Sequence, residues 1–120
     1  MYRSLALSAF ALTLVGCGRA ELSAVPAEVQ RCAGVNHPAT VTVKWDAYKA
    51  TAGKPIKLWV RNPDSFGEGE DHTTLWTEQG PTGSAMTGNW VVPGTAIILT
   101  DESGKRELAE LHIGSASCLK

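Results

Sequence analysis

From Thr40 onward the apolar residues recur at every second position. Val41, Val43 and Trp45 alternate with Thr42 and Lys44, and Ile56, Leu58 and Val60 alternate with Lys57, Trp59 and Arg61. A period of two puts the first set on one face of an extended chain and the second set on the other, which predicts half-buried strands rather than helices. The same reading predicts strands over Thr73–Glu78, Ala85–Val92, Thr95–Thr100 and Arg106–Ile113, with a leading strand around Glu28–Asn36. Between them lie turn formers that restrict φ or tolerate positive φ: Ala52-Gly53-Lys54-Pro55, Asn62-Pro63-Asp64, Gln79-Gly80-Pro81, Val92-Pro93-Gly94 and Asp101-Glu102-Ser103-Gly104. About seven short strands separated by regular turns predict an all-β chain folded as an antiparallel sandwich.

Phase also sorts the tryptophans. Trp45 shares a face with Val41 and Val43 and is assigned to the core. Trp59 lies between Lys57 and Arg61, opposite Ile56, Leu58 and Val60, which puts a large ring on the outside. Such a ring can stack on a sugar or anchor a protein partner. It can equally be covered by neighbouring side-chain stems or by a second buried face. The connection after it, Asn62 to His72, is longer than an ordinary hairpin loop, and long loops on a rigid scaffold are where binding tends to sit. The candidate binding surface is therefore Lys57, Trp59 and Arg61 with the loop acids Asp64, Glu68, Glu70 and Asp71. Glycine-spaced carboxylates in Glu68-Gly69-Glu70-Asp71-His72 suit calcium in principle, yet the ligand spacing of a calcium loop is missing, and a solvated loop is the preferred reading.

The N-terminal pattern is different. Arg3 precedes an apolar run from Leu5 to Val15, too short to cross a bilayer as a helix, and the run ends in Leu12-Thr13-Leu14-Val15-Gly16-Cys17-Gly18. The tetrad Leu14-Val15-Gly16-Cys17 resembles the lipobox of bacterial lipoprotein precursors. That resemblance implies removal of residues 1–16 as a signal peptide, acylation of Cys17 and attachment to a lipid bilayer. An ordinary secretory signal containing a cysteine is the alternative. Gly18 is not the aspartate associated with inner-membrane retention, so the resemblance points to the outer membrane, facing the periplasm. Residues 17–27, small and polar with one proline, then read as a tether, and residues 28–120 as the folded domain.

With Cys17 assigned, two cysteines remain in an oxidising compartment, and Cys32 and Cys118 are expected to pair. The bond closes nearly the whole domain, a constraint of ~4 kcal/mol by chain-entropy arguments. A metal or redox pair is the alternative, disfavoured by their wide spacing without Cys-x-x-Cys. The turn-rich stretch Thr87–Ile113 resembles immunoglobulin-like or fibronectin type III-like bacterial modules, a likeness extending over residues 28–118. It implies an immunoglobulin-like β-sandwich. The order Cys32 then Trp45 matches such domains, but Cys118 is nearly terminal and Ala116 stands where a corner tyrosine belongs. The pair is therefore read as a staple between the first strand, or its flank, and the segment after the last strand.

Catalytic motifs are missing: there is no Gly-x-Ser-x-Gly elbow, no phosphate-binding glycine loop and no His-Glu-x-x-His. His37, His72 and His112 are scattered, and alternation from Ala109, Leu111 and Ile113 puts His112 on the solvated face. The chain is expected to be no enzyme and to use no cofactor. A net charge of −1 leaves no basic stripe for nucleic acid. These features suggest a membrane-anchored envelope lipoprotein serving as a non-enzymatic binding or structural module. Its expected partners are the bilayer, through acylated Cys17, and an envelope protein or cell-wall glycan. The second reading is an inhibitor or immunity protein against a cell-wall hydrolase, its acidic loop engaging a basic enzyme cleft. The intact mass of membrane-extracted protein should show a chain beginning at acylated Cys17, and Cys17→Ser should release or mislocalise the domain; an unmodified Cys17 refutes the lipobox reading.

Overall fold

A computed structural model of the chain describes residues 20–63 and 73–118. Among these, ten strands and one helical turn follow in order: β1 (Glu21–Val25), β2 (Glu28–Cys32), β3 (Val35–Asn36), β4 (Thr42–Asp46), α1 (Tyr48–Thr51), β5 (Ile56–Arg61), β6 (Thr73–Gln79), β7 (Thr82–Met86), β8 (Ala96–Asp101), β9 (Glu107–His112) and β10 (Gly114–Ser117). The chain is all-β, as the alternation predicts. Three sheets form, with strand orders β1-β4-β7, β6-β5-β8-β9 and β10-β2-β3. All pairings are antiparallel except β2 with β10.

The first two sheets contribute to one apolar cluster. Leu22 and Ala24 of β1 and Val43 and Trp45 of β4 come from the three-stranded sheet; Ile56, Leu58, Ile97, Leu99 and Leu108 come from the four-stranded one. Their registers put Leu22 opposite Trp45 and Leu58 opposite Leu99, so the apolar residues of neighbouring strands share a face. Trp45, assigned to the core by phase, is buried, and its indole N–H donates to the Gly80 carbonyl at 3.0 Å. Buried threonines are satisfied in the same way. Thr87 accepts from the Val41 N–H at 3.0 Å and donates to the Gly88 carbonyl at 2.8 Å, so its hydroxyl costs little when removed from water.

Two long runs of extended chain are each divided between sheets. Around the cis Val25–Pro26 bond, β1 leaves β4 and the chain resumes as β2. At Ile113, β9 leaves β8 and the chain resumes as β10, which then pairs with β2. Gly114 N–H donates to the Ala27 carbonyl at 2.9 Å and joins the two crossings directly. These divisions add β1 and β10 to the seven strands expected, and a hairpin within the expected leading strand supplies the tenth, β3.

Local differences from the sequence reading have identifiable causes. The stretch that composition assigns to a tether contains β1, whose Leu22 and Ala24 alternate into the core between exposed Glu21, Ser23 and Val25. The leading strand expected over Glu28–Asn36 is a hairpin instead. Ala33 (φ 54°) and Gly34 (φ 80°) both take left-handed backbone, which reverses β2 into β3 as a primed two-residue turn does. The strand expected over Ala85–Val92 lies earlier, as β7. Trp90 folds back so closely on Gly88 that a Cβ there would stand 2.7 Å from the indole nitrogen, and Val91 keeps only an isolated bridge to Ala39.

Cys32 and Cys118 are bonded, with Cα atoms 5.3 Å apart and a separation of 86 residues. The bond ties the end of β2 to the residue just after β10, the staple position expected from the sequence. Replacing either cysteine by alanine should cost about 2–5 kcal/mol in chemical denaturation, the usual loss for a small disulfide-closed domain. Ala33→Gly, which relieves a left-handed alanine, should raise stability by about 0.5–1 kcal/mol in the same assay; a loss would show that the turn tolerates alanine without strain.

Candidate functional site

Alternation on β5 turns Lys57, Trp59 and Arg61 away from the core, and register extends that outward face across the sheet. Thr100, Ile98 and Ala96 of β8 stand opposite these three residues in turn. Glu107, Glu110 and His112 of β9 stand opposite Thr100, Ile98 and Ala96. On the other side, Glu78, Leu75 and Thr73 of β6 pair with Lys57, Trp59 and Arg61. The face therefore carries cations on β5 and carboxylates on β9, with an apolar row Leu75–Trp59–Ile98 running between strands. Leu75 is 40% exposed, whereas Ile98 is only 6% exposed, so the row is open at its β6 end.

Trp59 is half-buried and fixed in orientation. Its Nε1–H donates to Thr100 Oγ1 at 2.9 Å, and that hydroxyl in turn donates to the Asp101 carbonyl at 2.9 Å. The ring also lies over the β8–β9 turn, where Gly104 takes φ 79° and a Cβ would stand 3.0 Å from the ring. Only glycine allows both the left-handed turn and this approach. The ring thus lies against the sheet with its nitrogen satisfied, leaving apolar surface outward and no orphaned donor. This position combines the two possibilities open from sequence: the indole is outside the core, yet partly covered.

At the β9 edge, Arg61 Nη2 donates to Glu110 Oε2 at 2.9 Å, and His112 Nε2 lies 2.8 Å from the same oxygen. His112 occupies the solvated face predicted for it. Glu107 stands beside this group. Burial, then its hydrogen bond and repulsion with Glu110, push the Glu107 carboxyl above the ordinary carboxylate range. Glu110 moves the other way. Burial alone would raise it, but hydrogen bonds from Glu107 and His112 and the charges of His112 and Arg61 hold it below its ordinary value. Opposite shifts on adjacent carboxyls are those of a pair that shares one proton as the pH falls.

Of the residues singled out from sequence, Lys57, Trp59 and Arg61 share one face, and Cys32 and Cys118 are joined. Asp64, Glu68, Glu70 and Asp71 of the candidate loop, His72 beside them, and Cys17, the expected acylation site, lie outside the described residues. Glu107, Glu110, His112, Ile98 and Thr100 were not legible as neighbours of Trp59. Alternation places Glu110 and His112 on one face of their own strand, but only strand order brings that face beside β5. Glu107 joins them through a register shift between Leu99 and Thr100. Among the described residues no group of three or more His, Cys, Asp or Glu side chains is arranged to hold a metal ion. What the face offers chemically is stacking, ion pairing and hydrogen bonding.

Comparison with known proteins finds no matching family model, no matching curated protein and no matching solved structure.

The carboxyl pair sets a pH signature. Glu110, lowered, stabilises the fold above its ordinary value of about 4.3, and that contribution is lost as pH falls through the lowered one. Glu107, raised, acts in the opposite sense: its contribution is present at low pH and is lost as pH rises through the raised value. Glu110→Gln should therefore destabilise by about 0.5 kcal/mol at pH 7, with the difference shrinking as pH falls below the ordinary carboxylate range and through the lowered value. Glu107→Gln, which keeps a donor to Glu110, should leave neutral-pH stability unchanged or slightly higher. Thermal melts across pH 3–8 check both, and equal behaviour of the two variants would show that the carboxyls do not interact.

Proposed function

We propose that the protein is a lipid-anchored envelope lipoprotein whose folded part is an immunoglobulin-like β-sandwich acting as a non-enzymatic binding module. The strand orders β1-β4-β7 and β6-β5-β8-β9, their common apolar cluster and the division of the first and last strands between sheets support the sandwich reading. The lipobox tetrad Leu14-Val15-Gly16-Cys17 supports the anchor and, with it, a place in the cell envelope, at the outer membrane facing the periplasm.

The observation that carries the binding role is the outward face of β5. Trp59 presents apolar ring surface in a fixed orientation between Lys57 and Arg61, with the Glu107–Glu110–His112 group two strands away. A pre-oriented indole loses little side-chain freedom on contact, and its charged surroundings select orientation, which is how aromatic anchors act in interfaces. The partner is an envelope protein or a cell-wall glycan that lies flat across this face.

A photo-crosslinking residue at Lys57, on this face, and one at Lys44, on β4 of the other sheet, test the reading in intact cells. A discrete adduct is expected from Lys57 only, reduced about fivefold or more by Trp59→Ala, the effect of truncating an anchor worth over 1 kcal/mol. Because Trp59 also holds Thr100, Trp59→Phe is the control: it loses the N–H but keeps a ring, and should retain most of the adduct. Equal labelling from both positions, or an adduct indifferent to Trp59→Ala, overturns the assignment of this face.

A further inference from the structure

We infer that the end of the domain formed by the β4–β5 connection, the β6–β7 corner and the β8–β9 turn rests on the lipid headgroups of the membrane that anchors the chain. The inference depends on the proposed acylation of Cys17, and its physical basis is the length of chain left between that cysteine and the fold. Ala20 is already in the apolar cluster at 7% exposure, and β1 begins at the next residue. Three peptide units separate Cys17 from Ala20, and no conformation stretches them beyond about 11 Å. A bilayer's headgroup layer is itself about 6 Å deep on each side. A tether this short leaves no room to lift the domain clear of the surface.

Topology then says which end lies down. β1 starts at Glu21, opposite Asp46, the last residue of β4, and Asp46 lies opposite Thr82, the first residue of β7. Only Gly80 and Pro81 separate Thr82 from Gln79, and Gln79 pairs with Ile56, which also pairs with Asp101. Residues 47–55, 80–81 and 102–106 are therefore at the same end as Ala20. The opposite end, with the Val25–Pro26 crossing and residues 87–95, points away from the membrane.

The chemistry of this end suits headgroups. Tyr48 is 58% exposed, an aromatic with a polar tip, and Lys49, Lys54, Lys105 and Arg106 are exposed on two of its connections. Acidic residues are present too: Asp46, which accepts from the Tyr48 N–H at 3.2 Å, and Asp101, which accepts from the Ser103 N–H at 3.1 Å, keep their charge. Glu21, Glu102 and Glu107 are exposed beside them, so the contact rests on the short tether, Tyr48 and the individual ammonium groups, not on a net positive charge. The orientation also bears on the partner face, since Trp59 packs over Gly104 of the β8–β9 turn. A partner reaching Trp59 must approach along the membrane, not from above it.

Lysine acetylation of the anchored protein in vesicles of phosphatidylethanolamine and phosphatidylglycerol, read by peptide mass, tests this. The comparison is the same protein with about twelve Gly/Ser residues inserted after Gly18, a spacer reaching ~20 Å and so well beyond the ~8 Å screening length. Relative to Lys44 on the sheet face, Lys49, Lys54 and Lys105 should react about fivefold more slowly in the parent than in the spacer variant, the factor matching ~1 kcal/mol per headgroup-bound lysine. Equal rates in both proteins, with acylated Cys17 recovered in the same digest, overturn the orientation and leave the anchor standing. An unmodified Cys17 overturns both.

Discussion

The structure depends on one constraint: the first and last long strands must each serve two sheets. β1 pairs with β4 and β2 with β10; β9 pairs with β8 and β10 with β2. The two crossings meet where the Gly114 N–H reaches the Ala27 carbonyl, and the Cys32–Cys118 bond closes the parallel pair a few residues further on. A parallel pair of such short strands has few hydrogen bonds to offer by itself. Its tie to the rest of the fold comes from the covalent link and from Val29 and Ile113, both buried in the common cluster. With the crossings in place, the inner faces of the three- and four-stranded sheets are left to bury Val43, Trp45, Leu58 and Leu99 fully or nearly so.

Closing the inside determines the outside. Once Ile56 and Leu58 face inward, Lys57, Trp59 and Arg61 face outward, and the order β5-β8-β9 sets the carboxylates of β9 beyond the apolar row of β8. Trp59 is kept on that surface by a neutral hydrogen bond, not by charge, so its position does not depend on the ionisation of Glu107 and Glu110. The ion pair of Arg61 with Glu110 is partly exposed and adds modestly to stability. Across the proposed partner face the pair forms a dipole, positive toward β5 and negative toward β9, beside an otherwise apolar row.

The proposed anchor and the proposed partner face are linked by the same geometry. β1 begins four residues after Cys17, so an anchor there would hold the fold close to the bilayer, and the turn beneath Trp59 belongs to the end nearest that cysteine. Binding along a membrane surface then raises the effective concentration of any partner held in the same leaflet, without added contacts.

Alternation alone determined the all-β class, the inward phase of Trp45, the outward phase of Trp59 and the solvated side of His112, because a strand has only two faces and burial chooses one. Cysteine count and compartment made Cys32–Cys118 the expected pair, and the structure joins them. Tertiary structure decided the rest. Glu21–Val25 lies in a stretch, residues 17–27, whose composition reads as a tether, and becomes a strand because β4 offers it an unpaired edge and a place for Leu22 beside Trp45. Glu28–Asn36 turns back on itself because Ala33 accepts a left-handed backbone that local preference disfavours. The meeting of Glu107, Glu110 and His112 with Arg61 depends on strand order and a register shift. Strand order leaves no mark in local sequence because it joins segments far apart, 49 residues for Arg61 and Glu110, and the register shift breaks the alternation of β9 within its hairpin with β8, which a simple period of two does not foresee.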